Sequence, residues 1–253
     1  MEEQKKSRVE WLDSIRGITL ISMIIYHAVW DIVYIAKVDW EWYHSDGAYV
    51  WQQSICWVFI LLSGFCWSLG RSKWKNGLEV SAAGILVSII TCIFTPEERI
   101  VFGVLTFLGA AMLFMIPLEK ILCKVPDRIG VVASFLIFLF TRELSGGYLG
   151  IAGIKFISLP RALYHQGYVM TFLGWKDAAV FTTDYFPIVP WIFLFITGYF
   201  IYQIFRRRQW LEKKIFSNVK FRPFGVMGRH SLFIYLLHQP VIYAGVLVGQ
   251  MLF

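Results

Sequence analysis

Gly17-Ile18-Thr19-Leu20-Ile21-Ser22-Met23-Ile24-Ile25-Tyr26-His27-Ala28-Val29-Trp30-Asp31-Ile32-Val33-Tyr34-Ile35-Ala36 runs for twenty residues with one carboxylate, one imidazole and no lysine or arginine. Coiled as a helix it is about 30 Å long, which matches the hydrocarbon core of a bilayer. A second run, Phe186–Phe205, has the same length and no charge at all. Neither can be a surface helix of a soluble domain, because neither has a polar face to turn toward water. The whole chain agrees: its 253 residues are 57% hydrophobic and 16% charged, against about 45–50% and about 25% in soluble domains. An ordinary soluble enzyme is excluded. The reading is an all-α integral membrane protein, a single polytopic helical bundle covering residues 1–253, with no room for a separate soluble domain.

Working outward, seven spans are expected at about 16–37, 49–70, 77–95, 100–118, 129–142, 186–205 and 230–250. Lysine and arginine then set the orientation. The leader 1–15 with Arg16, the loop at 71–75, the loop near 119–128 and the basic loop 206–229 together hold eighteen; the intervening loops hold six. This loop-by-loop alternation puts the N-terminus in the cytoplasm and the C-terminus outside. It also explains the net charge of +7 without a phosphate-tracking surface, so no nucleic acid is expected. Cys56, Cys66, Cys92 and Cys123 have no CxxC spacing, which argues against a disulfide framework or a zinc site; no metal is expected. No cleavable signal peptide is apparent, because the first run exceeds an h-region and lacks a small-residue cleavage site.

Two connections are unusual. Residues 143–185 carry Tyr148, Phe156, Tyr164, His165, Tyr168, Phe172 and Trp175 between short apolar stretches, and are expected as interfacial or re-entrant pieces roofing a cavity. The loop 206–229 opens with Arg206, Arg207, Arg208, Lys213 and Lys214. It reads as a topology determinant in contact with anionic membrane lipids, or else as a site for a phosphate-rich ligand.

Ionisable groups inside a span are costly and point to function. Arg16, His27 and Asp31 are 11 and 4 residues apart, offsets of about 20° and 40° on a helical wheel, so they share one face. His27 falls about 16 Å along the axis from Arg16, near mid-membrane. Asp31, one turn on, is placed to accept an imidazole N–H and leave the other ring nitrogen free to take a proton. The last span repeats the pattern in Ser231, Tyr235, His238 and Gln239, with Pro240 freeing backbone carbonyls around the stripe. Two histidines at similar depth on two spans suggest one shared cavity. Asp184, outside the Pro187/Pro190 helix start, suits either a polar substrate or a helix cap. Trp40, Trp42, Tyr43 and His44 in the first external loop suit an interfacial belt or stacking on a sugar ring. No phosphate loop, G-x-S-x-G elbow or H-E-x-x-H is present, so serine and zinc hydrolases lack support.

Trp11-Leu12-Asp13-Ser14-Ile15-Arg16-Gly17 with the run to His27 and Asp31 resembles the opening of the transmembrane acyltransferase superfamily, in its heparan-α-glucosaminide N-acetyltransferase branch with small bacterial relatives. Three further segments fit in family order: Phe102-Gly103-Val104-Leu105 with Gly109; Asp184-Tyr185-Phe186-Pro187-Ile188-Val189-Pro190-Trp191; and Gly228-Arg229-His230-Ser231-Leu232 through Tyr235 and His238-Gln239-Pro240. The resemblance implies an enzyme that moves an acyl group, typically acetyl, from cytoplasmic acyl-CoA to an amino or hydroxyl group of an extracytoplasmic glycan or amino sugar. On that reading His27, oriented by Asp31, is the base, and His238, Gln239 or Tyr235 stabilises the oxyanion. Arg16, Arg71, Arg229 and Ser231 hold the donor, while His44, Trp42, Asp184 and Trp191 hold the acceptor. The lysosomal member has asparagine at the position of His27 and its catalytic histidine in the following luminal loop, so His44 is the other candidate base. The expected setting is a bacterial cytoplasmic (inner) membrane, and a seven-helix body equally suits a homodimer. A small-molecule or proton-coupled transporter is the rival reading, although no paired repeat is visible; a scaffold with polar stripes as interhelical glue is another.

Overall fold

The computed structural model describes residues 10–212 and 222–252. Lys5, Lys6, Arg8, Lys213 and Lys214 lie outside the described residues. Among those described, seven helices are long and apolar enough to cross a membrane. They are α1 (Glu10–Tyr34), α2 (Asp46–Trp67), α3 (Lys73–Phe94), α4 (Val104–Leu122), α5 (Asp127–Thr141), α7 (Ile188–Arg207) and α9 (Ser231–Leu252). Two short helices, α6 (Gly167–Leu173) and α8 (Arg222–Arg229), and one antiparallel hairpin of β1 (Tyr148–Ile151) and β2 (Ile154–Ser158) complete the description. The chain is an all-α polytopic membrane protein, and every expected span is present within a few residues of its expected place.

The chain falls into two compact units: residues 1–59 with 205–253, and residues 60–204. The division runs through α2 and the end of α7. In the first unit, α1 is the common partner. Its N-terminal half meets α8 at two glycines: a Cβ on Gly17 would lie 2.0 Å from the Phe224 carbonyl oxygen, and one on Gly228 would lie 1.8 Å from that of Asp13. Only hydrogen fits at such a distance. The outer half of α1 packs against α9 and against the start of α2, where Trp51 Nε1–H donates to Ser22 Oγ at 2.8 Å.

In the second unit α7 is the most deeply packed span, with Leu194, Phe195, Tyr199 and Phe200 at most 2% exposed. It crosses the second half of α2 at a reciprocal pair of glycines. A Cβ on Gly64 would meet the Phe195 oxygen at 1.9 Å, and one on Gly198 the Leu61 oxygen at 2.2 Å. The α3–α4 contact repeats the device with Gly84 against the Thr106 backbone nitrogen and Gly109 against that of Ser81, at 2.6 and 2.5 Å. Lipid tails are as apolar as leucine, so helices in a membrane gain little from hiding hydrophobic surface and associate by close backbone approach.

Polar anchors set the helix ends. α3 begins at Lys73, four residues before the expected start, because that ammonium lies 3.9 Å from the Trp67 ring centroid and 2.6 Å from Glu119 Oε2. α4 begins at Val104 and not at 100. The preceding residues are tied to a later segment: Val101 N–H donates to Thr182 Oγ1 (3.1 Å), Phe186 N–H to the Phe102 carbonyl (2.7 Å) and Val104 N–H to Asp184 Oδ2 (3.2 Å).

Residues 143–185, expected as interfacial or re-entrant pieces, fold as the hairpin and α6, closed by their own hydrogen bonds. The hairpin turns on Ala152-Gly153, with φ of 52° and 83°, the left-handed pair that a two-residue connection between twisted strands requires. Asp177 accepts from Gly167 N–H at 2.8 Å and from Ala179 N–H at 2.9 Å, and Tyr185 O–H donates to the Thr171 carbonyl.

Replacing Gly198 by alanine should force α2 and α7 apart and cost about 1–3 kcal/mol, the usual penalty of overpacking. Gly249, with nothing within 4 Å of its would-be Cβ, is the control, and its alanine variant should melt at or above the wild-type temperature. Thermal unfolding in one detergent compares the two.

Candidate functional site

The two polar stripes meet. Within the first unit, α1 carries His27 and Asp31, and α9 carries Tyr235, His238 and Gln239. The imidazole centroids of His27 and His238 are 4.9 Å apart in an edge-to-face arrangement, and the Tyr235 ring is 5.2 Å from that of His238. Asp31 is fully buried and His238 is 8% exposed, while His27 is half-buried. The helix period alone puts His27 and Asp31 on one face of α1, and the i, i+4 spacing from Ser231 to Tyr235 and the 3,1 spacing onward do the same on α9.

The hydrogen bonds differ from those expected. Asp31 Oδ1 accepts Nε2–H of Gln239 at 2.8 Å, a link across 208 residues of sequence. The carboxylate expected to orient His27 is thus held by α9. His238 Nδ1 bonds the Tyr235 carbonyl one turn earlier. A carbonyl only accepts, so Nδ1 carries the proton and Nε2 a lone pair. This bond uses the one N–H of neutral His238, and the bond to Asp31 uses one of the two N–H groups of the Gln239 amide. His238 Nε2 and Gln239 Oε1 are buried acceptors with no hydrogen-bond partner among the described residues. The second Gln239 N–H is the donor these two side chains retain for an oxyanion. Pro240 lies inside an otherwise continuous α9.

An aromatic web that sequence reasoning did not assemble adjoins His27. Tyr26 stacks edge-on to His27 (6.1 Å) and to Trp51 (5.2 Å), and its hydroxyl accepts that of Tyr43 at 2.8 Å. Burial and the Tyr26 hydroxyl push the phenol of Tyr43 well above the ordinary tyrosine range. Ser22, Tyr26 and Trp51 gave a signal only in pairs, since the i, i+4 spacing of Ser22 and Tyr26 becomes meaningful once Trp51 is known to face them. Trp42 is 46% exposed and packs on Trp40 and Trp51, and His44 is exposed with its ring edge-on to Tyr34 and Tyr43. The 40–44 segment is therefore built beside the same site, at the C-terminal end of α1.

The residues expected at the donor end are distributed. Arg16 pairs with Asp13 at 3.2 Å on the N-terminal half of α1. Arg229 is exposed at the end of α8, its Nε–H on the Gly225 carbonyl, and Ser231 opens α9 half-buried. Arg71 is exposed in the other unit. Two residues expected to hold acceptor, Asp184 and Trp191, belong to that unit too and are not exposed. Asp184 ties the start of α4, capping that helix and not the α7 that follows it. Trp191 is 8% exposed, packed between Phe138 and Phe186 at 5.4 and 4.9 Å. Its ring is enclosed by these two neighbours.

Two outcomes test this geometry. Gln239→Leu leaves the Asp31 carboxylate without that amide and should cost about 1–2 kcal/mol. This is above the about 0.6 kcal/mol mean for interhelical hydrogen bonds in membranes, because the acceptor is fully buried. Asp31→Asn in the same background should restore part of the loss, read as coupling in a double-mutant cycle. Separately, burial pushes the Asp184 carboxyl up to about 6, opposed by the Val104 N–H. A carboxyl raised on folding binds its proton more tightly when folded, so stability falls as pH rises from about 4 to about 6. Asp177 has the opposite sign, since two backbone N–H groups hold it below the ordinary range. The melting temperature of Asp184→Asn should therefore lose the decline between pH 4 and 6 that the parent shows.

Comparison with known proteins gives one match: a family model described as heparan-alpha-glucosaminide N-acetyltransferase, catalytic, aligns with residues 8–240. No curated protein and no solved structure matches the chain.

Proposed function

The chain belongs to the heparan-alpha-glucosaminide N-acetyltransferase catalytic family, a family of membrane acetyltransferases, and from that premise we propose that it moves an acyl group, typically acetyl, from cytoplasmic acyl-CoA to an amino or hydroxyl group of an extracytoplasmic sugar. One observation carries the reading: two histidines and a buried carboxylate share one interior site between the first and last spans, where a membrane protein without chemistry would keep apolar side chains.

His27 is the proposed base, because its half-buried ring is the accessible member of the pair. It takes the proton of the attacking N–H or O–H as the new bond to the acyl carbon forms and the C–S bond breaks, and the departing thiolate recovers that proton. Tyr235 is the proposed hydroxyl donor to the oxyanion. A two-step course through an acyl-histidine satisfies the same geometry. Arg16, Arg229 and Ser231 lie at the opposite ends of α1, α8 and α9 from the aromatic loop, which supports a donor end and an acceptor end on one unit. Trp42 and His44 are proposed to hold the sugar. Lysine and arginine placement supports a cytoplasmic N-terminus, and the resemblance to small bacterial relatives supports a bacterial cytoplasmic membrane as the setting. A homodimer is compatible with this mechanism.

The test is direct. Acetyl-CoA should raise the melting temperature of the purified protein saturably, following RT ln(1 + [L]/Kd), and adenosine should not. Arg16→Gln with Arg229→Gln should weaken that shift, while His27→Ala should keep the shift and lose CoA release by about 100-fold or more. A protein that ignores acetyl-CoA at millimolar concentration would instead favour the transporter reading.

A further inference from the structure

An imidazole that serves as a base needs its second nitrogen fixed; otherwise the ring exchanges tautomers and flips, and the lone pair points at the nucleophile only part of the time. In most such pairs a carboxylate does this. Here Asp31 Oδ1 is engaged by Gln239, and the ring nearest His27 on the neighbouring span is His238. That ring has a determined polarity. Its Nδ1–H is committed to the Tyr235 carbonyl, its Nε2 carries the lone pair, and Nε2 is buried with no hydrogen-bond partner in a side chain 8% exposed. A buried acceptor of this kind is costly unless a donor reaches it. The one neighbouring side chain in ring contact with His238 that has an N–H to give is His27, since Tyr235 is held to the same turn of α9.

We propose that His238 is the positioning residue of the site: its Nε2 receives the N–H of His27 and holds that imidazole with the opposite nitrogen toward the nucleophile. The inference rests on the acyltransferase reading for its chemistry and on the first unit alone for its geometry. Protons balance without any transfer to His238. His27 gains the nucleophile's proton on its outward nitrogen, becomes an imidazolium whose inward N–H stays on His238 Nε2, and returns the outward proton to the thiolate. Tyr235 is thereby given a second part, because its carbonyl sets the tautomer of His238. Gln239 engages Oδ1 of Asp31 from the same helix that carries His238.

The experiment uses the full chain in lipid bilayers. His238→Phe keeps the ring volume and removes the acceptor; it should lower kcat about 100-fold and leave KM for acetyl-CoA within about twofold. His238→Gln can place a carboxamide oxygen where Nε2 stood, and should recover at least about tenfold of that loss. A Phe variant with wild-type kcat overturns the proposal, and so does a Gln variant no better than Phe. Solid-state NMR of ¹⁵N-histidine protein gives a readout that needs no turnover and no His238 variant. His238 Nε2 should resonate as an unprotonated, hydrogen-bonded nitrogen and move when His27 is replaced by alanine. A protonated Nε2, or one indifferent to His27→Ala, overturns the pairing. Wild-type protein that fails to release CoA while showing this NMR signature would sink the acyltransferase reading and leave the pairing standing.

Discussion

Asp31 is a carboxylate with no exposed surface in the middle of a membrane protein, and the amide of Gln239 that meets it comes from the last span. Much else follows from that contact. A buried carboxylate cannot be left without donors, since water is absent at that depth and the unmet group would cost several kcal/mol. The first and last spans are therefore held in one register. In that register His27 and His238 come to 4.9 Å, and the lone pair of Gln239 and that of His238 lie on adjacent residues of one helix. The cost of burying the carboxylate is offset by fixing a relationship between residues 208 positions apart.

Close backbone approach supplies the rest of the cohesion. The motif at residues 11–17 and the motif at 228–232 are distant in sequence, yet Gly17 and Gly228 each admit the other helix's carbonyl oxygen to a distance at which no side chain fits. Both glycines belong to the segments on which the family resemblance rests. Part of what makes those segments recognisable is consequently packing and not chemistry: Gly17, Gly228 and the buried Asp13 and Ser14 dock α8 on α1. The same economy appears in the other unit at Gly64 and Gly198.

Periodicity made the spans and the two stripes legible. His27, Asp31, Tyr235, His238 and Gln239 were each readable as polar groups on an apolar helix, and their assembly followed from depth. What periodicity cannot carry is the identity of partners across helices. The wheel offered Asp31 to His27 because both lie on α1; Gln239 competes from another helix, and nothing in the spacing reveals it. Donor and acceptor character was hidden for a related reason, since the tautomer of His238 depends on a backbone carbonyl within its own turn. Trp191 was assigned to the acceptor through the segment 184–191 that carries the resemblance, and its packing against Phe138, on another span, is invisible in that segment. The hairpin at 148–158 escaped because its strands are four and five residues long and their signal is the φ of Ala152 and Gly153, which composition does not show.

The site's polarity follows from these partnerships. Neutral His238 has its one N–H on the Tyr235 carbonyl, and Gln239 has one of its two amide N–H groups on Asp31. Both side chains keep a lone pair, and a lone pair calls for an N–H or O–H, while the second amide hydrogen leaves Gln239 a donor as well. The direction of these hydrogen bonds, and not the residue types alone, decides what each side chain has left to offer a neighbour.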